Sequence, residues 1–220
     1  MARDNAQAKA KENLTEAEVN AIRDPALVDK RRNQILDGAL ALFLEKGFAA
    51  TTIRDICTRS GVNQASLYDY VANKQDILRR ILNRVWFREE GPTATAELQA
   101  SADEELEAIL TRHYREQWTT HHDGLLLAYR SVSSLADEDR KMLRQREEAA
   151  IADLSAYLRR RCGLSDDDQR AKVIANLMIF LNAFGPFRDW LQRDVDEEEA
   201  LKTIVRALSA MIEDLARPAK

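Results

Sequence analysis

The sequence is poor in the residues that make tight turns. Seven glycines and four prolines in 220 residues are less than half the usual combined share of about 12%, too few for the succession of hairpins that a β-sandwich or barrel needs. Only two cysteines occur, Cys57 and Cys162, far apart and with no second thiol at metal-ligand spacing. They read as small buried hydrophobes rather than as a disulfide or a zinc site. No run approaches the roughly 20 uninterrupted apolar residues that span a bilayer, and the opening MARDNAQAKAKEN has no apolar signal core, so a cytoplasmic protein is expected. No two glycines lie within five residues of each other, which excludes the glycine-rich loops that cradle phosphates.

What is abundant is charge beside apolar residues at helical spacing. With 45% hydrophobic and 32% charged residues, the chain suits long amphipathic helices with solvated outer faces, and the expected fold class is all-α. The net charge of −4 hides a split: residues 30–74 carry seven Lys/Arg against four Asp/Glu, whereas residues 75–220 carry 22 against 27. A modestly basic segment beside an acidic body fits local contact with a polyanion, but the imbalance alone does not establish it.

Along the chain, Thr15-Glu16-Ala17-Glu18 matches a capping box that would start a short helix ended by Asp24-Pro25, so residues 1–30 are expected as a mobile arm or a loosely docked helix. Ile35, Leu36, Ala39, Leu40, Phe43 and Leu44 then recur at three- and four-residue spacing up to Gly47, which predicts a helix. Thr52 with Asp55 three residues on predicts the N-terminus of a second helix, stopped by Gly61. A third, short helix is expected over Gln64–Tyr70. Two short helices joined by a glycine-containing turn, with a longer one before them, make a helix-turn-helix unit.

The remainder predicts helices from Lys74 to about Glu89, Thr95 to Thr120, Leu125 to Leu135, Asp137 to Arg161, Asp166 to Asp194 and Asp196 to Ala216. In the third helix of the unit, Leu67 faces the small core and Gln64, Ala65, Ser66, Tyr68 and Tyr70 are expected outward. Gln64 suits a bidentate pair with adenine and Ala65 a thymine methyl, while Ser66 or Tyr68 suits bases or phosphates. Tyr68 has an alternative, packing over the first helix with its hydroxyl outward. Arg54 and Lys74 would flank the groove, and Thr52 opens a helix N-terminus whose amides suit phosphate. Helical corners also occur as plain packing units, so the wider motif has to carry a DNA-binding assignment.

The run TTIRDICTRSGVNQASLYDYVANKQDIL, preceded by ILDGALALFLEKGF, resembles the DNA-binding domain of the tetracycline-repressor (TetR) family over about residues 31–78. Its Gly-Phe, Thr-Thr, Gly-Val, Leu-Tyr-x-Tyr and Asn-Lys elements fall in order. Val71 departs from the pattern, standing where many relatives have an aromatic, and a packing change is expected there. The resemblance implies an all-helical homodimer with a C-terminal effector site, usually a repressor released from its operator by a small molecule. It carries DNA contact onto Thr52, Arg54, Gln64, Ala65, Ser66, Tyr68, Tyr70 and Lys74. The domains expected on this basis are the arm at 1–30, the helix-turn-helix at 31–75, and an effector and dimerisation domain at 76–220.

In that last domain, aromatic and polar residues cluster at His113, Tyr114, Trp118, Tyr129, Asn176, Phe180 and Phe184, candidates for a mostly apolar small-molecule site. The competing reading of each one singly is an ordinary core residue. Apolar positions on the last two helices, among them Ile174, Leu177, Phe180, Leu181, Leu201, Ile204, Val205, Leu208 and Ile212, exceed what one side of one subunit requires and point to a four-helix dimer interface. The segment from Leu125 to Leu154 resembles family members that sense lipid-like or CoA-linked metabolites, and Arg130, Arg144, Arg146 or Arg188 would then meet phosphates. Those arginines serve equally well as surface partners of nearby acids, and an apolar drug or aromatic metabolite is the rival effector. No metal or cofactor is expected: His113, His121 and His122 lack further ligands at metal spacing. Nor is an enzyme, since no serine stands on a nucleophile elbow. The function expected is a ligand-responsive regulator, most simply a repressor on a pseudo-palindromic operator. The alternative is an all-helical interaction or scaffold protein that has lost DNA binding.

Overall fold

The computed structural model describes residues 13–19, 25–85, 87, 94–101, 103–191 and 193–217. All regular elements among them are helical, and none of these helices is long and apolar enough to cross a membrane. The chain separates into two compact units, residues 1–89 with 123–142, and residues 90–122 with 143–220.

In the first unit, α1 spans Pro25–Lys46. Pro25 opens this helix, because the first helical position has no intrahelical use for the N–H that proline lacks; the helix end expected at Asp24-Pro25 falls on residues outside the described ones. Helix α1 buries Ile35, Leu36, Ala39 and Phe43. Helix α2, Ile53–Ser60, begins with a complete capping box and ends at Gly61, whose φ of 69° lies in the left-handed region that glycine enters without a Cβ penalty. Helix α3, Gln64–Leu67, is capped by Asn63, whose side chain accepts the Ala65 N–H at 2.9 Å. The two turns expected to Tyr70 are thus one helical turn followed by a tighter one. Helix α4, Lys74–Val85, places Ile77, Leu78, Ile81 and Leu82 wholly inside. The predicted continuation through Trp86 lies outside the described residues. Helix α7, His122–Ser131, runs into a 3-10 turn at Val132–Ser134.

Residues 14–19 contain no helix. The segment is an extended strap whose Leu14 is fully buried, so the capping box read at Thr15-Glu18 does not operate. The rest of the predicted arm, residues 1–12 and 20–24, lies outside the described residues.

The second unit holds α5 (Ala94–Ala100), α6 (Leu106–Thr119), most of α8 (Asp137–Cys162), α9 (Gln169–Leu181), α10 (Phe184–Arg188) and α11 (Glu197–Leu215). Helix α11 starts on Asp196, whose carboxylate accepts the Glu199 N–H at 3.0 Å, and three glutamates in its first turn complement the helix dipole. The core joins Leu98, Leu110, Tyr114, Trp118, Met178 and Leu208. Two predicted helices are divided. Thr95–Thr120 breaks at residues 101–105, where Ser101 accepts the Glu104 N–H in a turn that suits its Ser and Asp residues. Asp166–Asp194 breaks at Asn182-Ala183, because Pro186 cannot donate to the Asn182 carbonyl and is accommodated only in the first turn of a new helix. Cys57 and Cys162 are free and half-buried, and burial pushes both thiols up from their ordinary pKa.

The restart of the chain at α10 brings Gly185 against Trp118: a Cβ at that position would stand 2.6 Å from ring atoms Cγ and Cδ2. Trp118 is buried and its indole N–H is bonded to the Leu181 carbonyl at 3.0 Å, so the ring has no easy retreat. Gly185→Ala is expected to destabilise the fold by about 1–3 kcal/mol, measured by chemical denaturation.

Candidate nucleic-acid interface

The N-terminus of α2 is built by one carboxyl. Asp55 Oδ2 accepts from the Lys46 ammonium at 2.6 Å, the Thr52 hydroxyl at 2.7 Å and the Thr52 N–H at 2.8 Å, while the Thr52 oxygen accepts the Asp55 N–H at 3.1 Å. The Lys46 bond first, then those from Thr52, hold the Asp55 carboxyl far below the usual carboxylate range. Arg54, one residue into α2, is exposed.

Leu67, completely buried, anchors α3 and leaves Gln64, Ala65 and Ser66 in solvent. Tyr68, just past the end of α3, is 48% exposed. Tyr70 does not: it is buried at 5% exposure, because the chain tightens after Leu67 and turns the ring inward, with the Tyr70 carbonyl accepting from Arg32 Nε at 3.3 Å. Val71 is likewise buried, with its N–H on the Leu67 carbonyl. Lys74 was expected to flank the groove. Its ammonium instead donates to the carbonyls of Thr51 at 2.7 Å, Phe48 at 2.9 Å and Ala49 at 3.4 Å, and stands 4.5 Å from the Phe48 ring centroid. Burial pushes its pKa down. Both residues brace the unit from within, leaving Thr52, Arg54, Gln64, Ala65, Ser66 and Tyr68 as the exposed set.

The sequence model of bacterial regulatory proteins, tetR family, matches residues 35–81, the segment from mid-α1 through most of α4. Residues 35–81 thus carry a TetR-family DNA-binding domain. It is 32% identical over 130 residues to the HTH-type transcriptional regulator HbdR of Aromatoleum sp. (strain CIB), covering 58% of this chain and 56% of that protein. It is 37% identical over 92 residues to the HTH-type transcriptional repressor KstR2 of Rhodococcus jostii (strain RHA1), covering 38% and 45%. The matched region thus spans about half the length of these curated relatives. In fold it is similar to the MbdR regulator from Azoarcus sp. CIB, with a TM-score of 0.62 at 19% identity over 86% of this chain and 99% of that one.

The effector candidates divide three ways. His113, Tyr114, Trp118 and Phe184 come together in the second unit, with Trp118 and Phe184 rings 6.1 Å apart. Their polar atoms are occupied: His113 Nδ1 lies 2.8 Å from a Glu97 carboxylate oxygen and Nε2 lies 3.0 Å from Asn182 Oδ1, and the Tyr114 hydroxyl donates to the Met178 carbonyl at 3.0 Å. Asn176 and Phe180 face outward, Phe180 at 55% exposure. Tyr129 belongs to the first unit. Glu97 and Asn182 escaped the sequence reading, since a carboxylate or amide one helix away from a histidine has no fixed spacing to betray it. Among the described residues, no three His, Cys, Asp or Glu side chains stand where they would share a metal ion.

Of the dimerisation positions, Ile174, Leu181, Leu201, Val205, Leu208 and Ile212 are consumed by the protomer's own core, whereas Leu177 and Ile204 are partly exposed. Val173 and Met211, not among those named positions, are exposed as well.

The Asp55 cap has a pH signature. Its carboxyl titrates below the ordinary 3.8 in the folded chain, so its stabilisation is complete above that pH and is lost as the pH falls through the folded value. Thr52→Ala is expected to lower the melting temperature at pH 7, with the gap to the parent narrowing on strong acidification, as followed by circular dichroism.

Proposed function

We propose that the protein is a ligand-responsive transcriptional repressor that binds a pseudo-palindromic DNA operator as a homodimer and leaves it when a small molecule binds. The observation that carries this reading is the exposed polar face of α3, Gln64, Ala65, Ser66 and Tyr68, held on a fully capped helix-turn-helix. A helix of this kind enters the major groove with its first residues at base edges. The α2 N-terminus at Thr52 and the Arg54 guanidinium supply phosphate contacts that fix register. The named relatives, a regulator and a repressor, agree with this assignment.

The dimer rests on an apolar stripe. Val173, Leu177 and Phe180, spaced i, i+4 and i+7 on α9, share one face, Val173 and Phe180 being 66% and 55% exposed, and α11, which packs on α9, adds Ile204 and Met211. Such a surface is stable in water when a second copy covers it. Two copies would place two recognition helices on the two halves of one site.

For the effector, the second unit offers an aromatic interior and two buried hydroxyls, Ser155 and Ser209, that have no hydrogen-bond partner among the described residues. Apolar walls with a few unpaired polar groups suit an apolar or aromatic molecule with one or two hydrogen-bonding atoms. Arg144 is paired with Glu148 at 2.8 Å and Arg130 donates to the Leu44 carbonyl at 3.3 Å, which weighs against CoA phosphates at those two positions.

Two measurements test the reading. In a fluorescence-anisotropy titration, duplex from upstream of the coding region is expected to bind more tightly than a scrambled duplex. Gln64→Ala and Tyr68→Ala should each cost about 1–3 kcal/mol where a base contact is lost. Equal binding of parent and variants would return the chain to the scaffold class. Phe180→Arg is expected to shift the protein to monomer in light scattering and to weaken operator binding in step.

A further inference from the structure

The α4 helix carries a charged and polar stripe where an apolar one would be expected. Asp76, Arg80 and Asn83 recur at i, i+4 and i+7, and Asp76 and Arg80 are 2% and 6% exposed. A buried ion pair is tolerated only when its remaining donors and acceptors are satisfied, and here the extended strap satisfies them. Asn83 accepts the Leu14 N–H at 2.8 Å and donates to the Leu14 carbonyl at 2.9 Å, as a neighbouring β-strand would. Arg80 donates to the Glu16 carboxylate at 2.5 Å and the Ala17 carbonyl at 2.6 Å, and through Nε to Asp76 at 2.9 Å. One oxygen of Asp76 accepts the Ala17 N–H at 2.8 Å; the other accepts, besides Arg80, the Ala72 N–H at 3.0 Å.

Ala72 lies in the turn that leaves the recognition element. One buried carboxylate therefore ties the strap on one oxygen to the end of the recognition element on the other. The Leu14 side chain, sealed from water, fixes the strap along the axis of α4. Glu16 answers the one guanidinium nitrogen that Asp76 and the Ala17 carbonyl leave over.

Resting on the repressor reading, we propose that residues 14–17 are a positioning strap for operator recognition: through Asp76 they hold α3 and α4 in the relative placement that DNA requires, without touching DNA themselves. Leu14, Ala17, Asp76, Arg80 and Asn83 are then positioning residues, and residues 14–17 belong functionally to the DNA-reading head.

The test uses charge-neutral variants of the full chain. Ala17→Pro removes the N–H that Asp76 accepts, Ala17→Ser keeps it, and Leu14→Ala removes the apolar anchor. Ala17→Pro and Leu14→Ala are expected to raise the operator Kd about tenfold, the scale of one lost buried hydrogen bond or anchor, with Ala17→Ser near the parent. The slope of log K against log salt should stay at the parental value, because no phosphate contact is removed. A slope smaller by about 1 would mean that the arm touches the backbone, and would overturn the proposal. Hydrogen exchange supplies a readout without DNA: amides 71–74 should exchange faster in Ala17→Pro and Leu14→Ala, and not in Ala17→Ser. Unchanged Kd, or unchanged exchange, overturns the strap. If the parent itself shows no operator preference, the repressor reading fails, and the proposal, which rests on it, fails with it; faster exchange in that case would record the strap's hold on α4 alone.

Discussion

A helix of four residues cannot sustain itself. Nucleating a turn fixes several dihedrals for one hydrogen bond, so α3 exists only because the surrounding unit imposes its geometry. Leu67 gives it a buried foot, Asn63 closes its first amide, and Gly61 supplies the left-handed turn that delivers it. At its far end the chain is fastened twice, by Tyr70 turned into the core and by Ala72 on the Asp76 carboxylate. Lys74 then pulls the start of α4 onto the α1–α2 turn through three carbonyls. The exposed face of α3 carries no part of this bracing, which leaves its side chains available for recognition.

This division of labour explains which residues the sequence disclosed. Local periodicity and capping rules act over three or four positions, and they placed α1, α2, Gly61 and the outward set from Gln64 to Tyr68. Tyr70 and Lys74 lie within two turns of the same motif, but their directions are set by what the chain does after Leu67 and by carbonyls more than twenty residues earlier. Neither cause has a local pattern. The strap was misread for the same reason: Thr15 and Glu18 satisfy a helix-start rule, yet the unpaired donors and acceptors on α4 compete for that backbone and win. Asp76, Arg80 and Asn83 at helical spacing beside four buried aliphatics were the available clue.

In the second unit, composition indicated an aromatic cluster and the structure divides it by orientation. Along α9, the 100° step between residues decides which apolar side chains serve the core and which remain outside, and the short helix kept its register only as far as Pro186 allowed. His113, Tyr114 and Trp118 are fastened to Glu97, Asn182 and carbonyls of α9, so they fix the spacing of helices.

In the homodimer proposed above, the outward stripe of Val173 and Phe180 would make the stability of the protein a function of its own concentration. Covering that surface favours the folded chain by mass action, in proportion to the logarithm of protomer concentration over the dimer dissociation constant. Dilution would then act as a mild denaturant for the proposed dimer. In a cell holding few copies, the same term would set a lower limit on abundance below which newly made chains of such a dimer persist as exposed protomers, open to proteolysis before they meet a second copy.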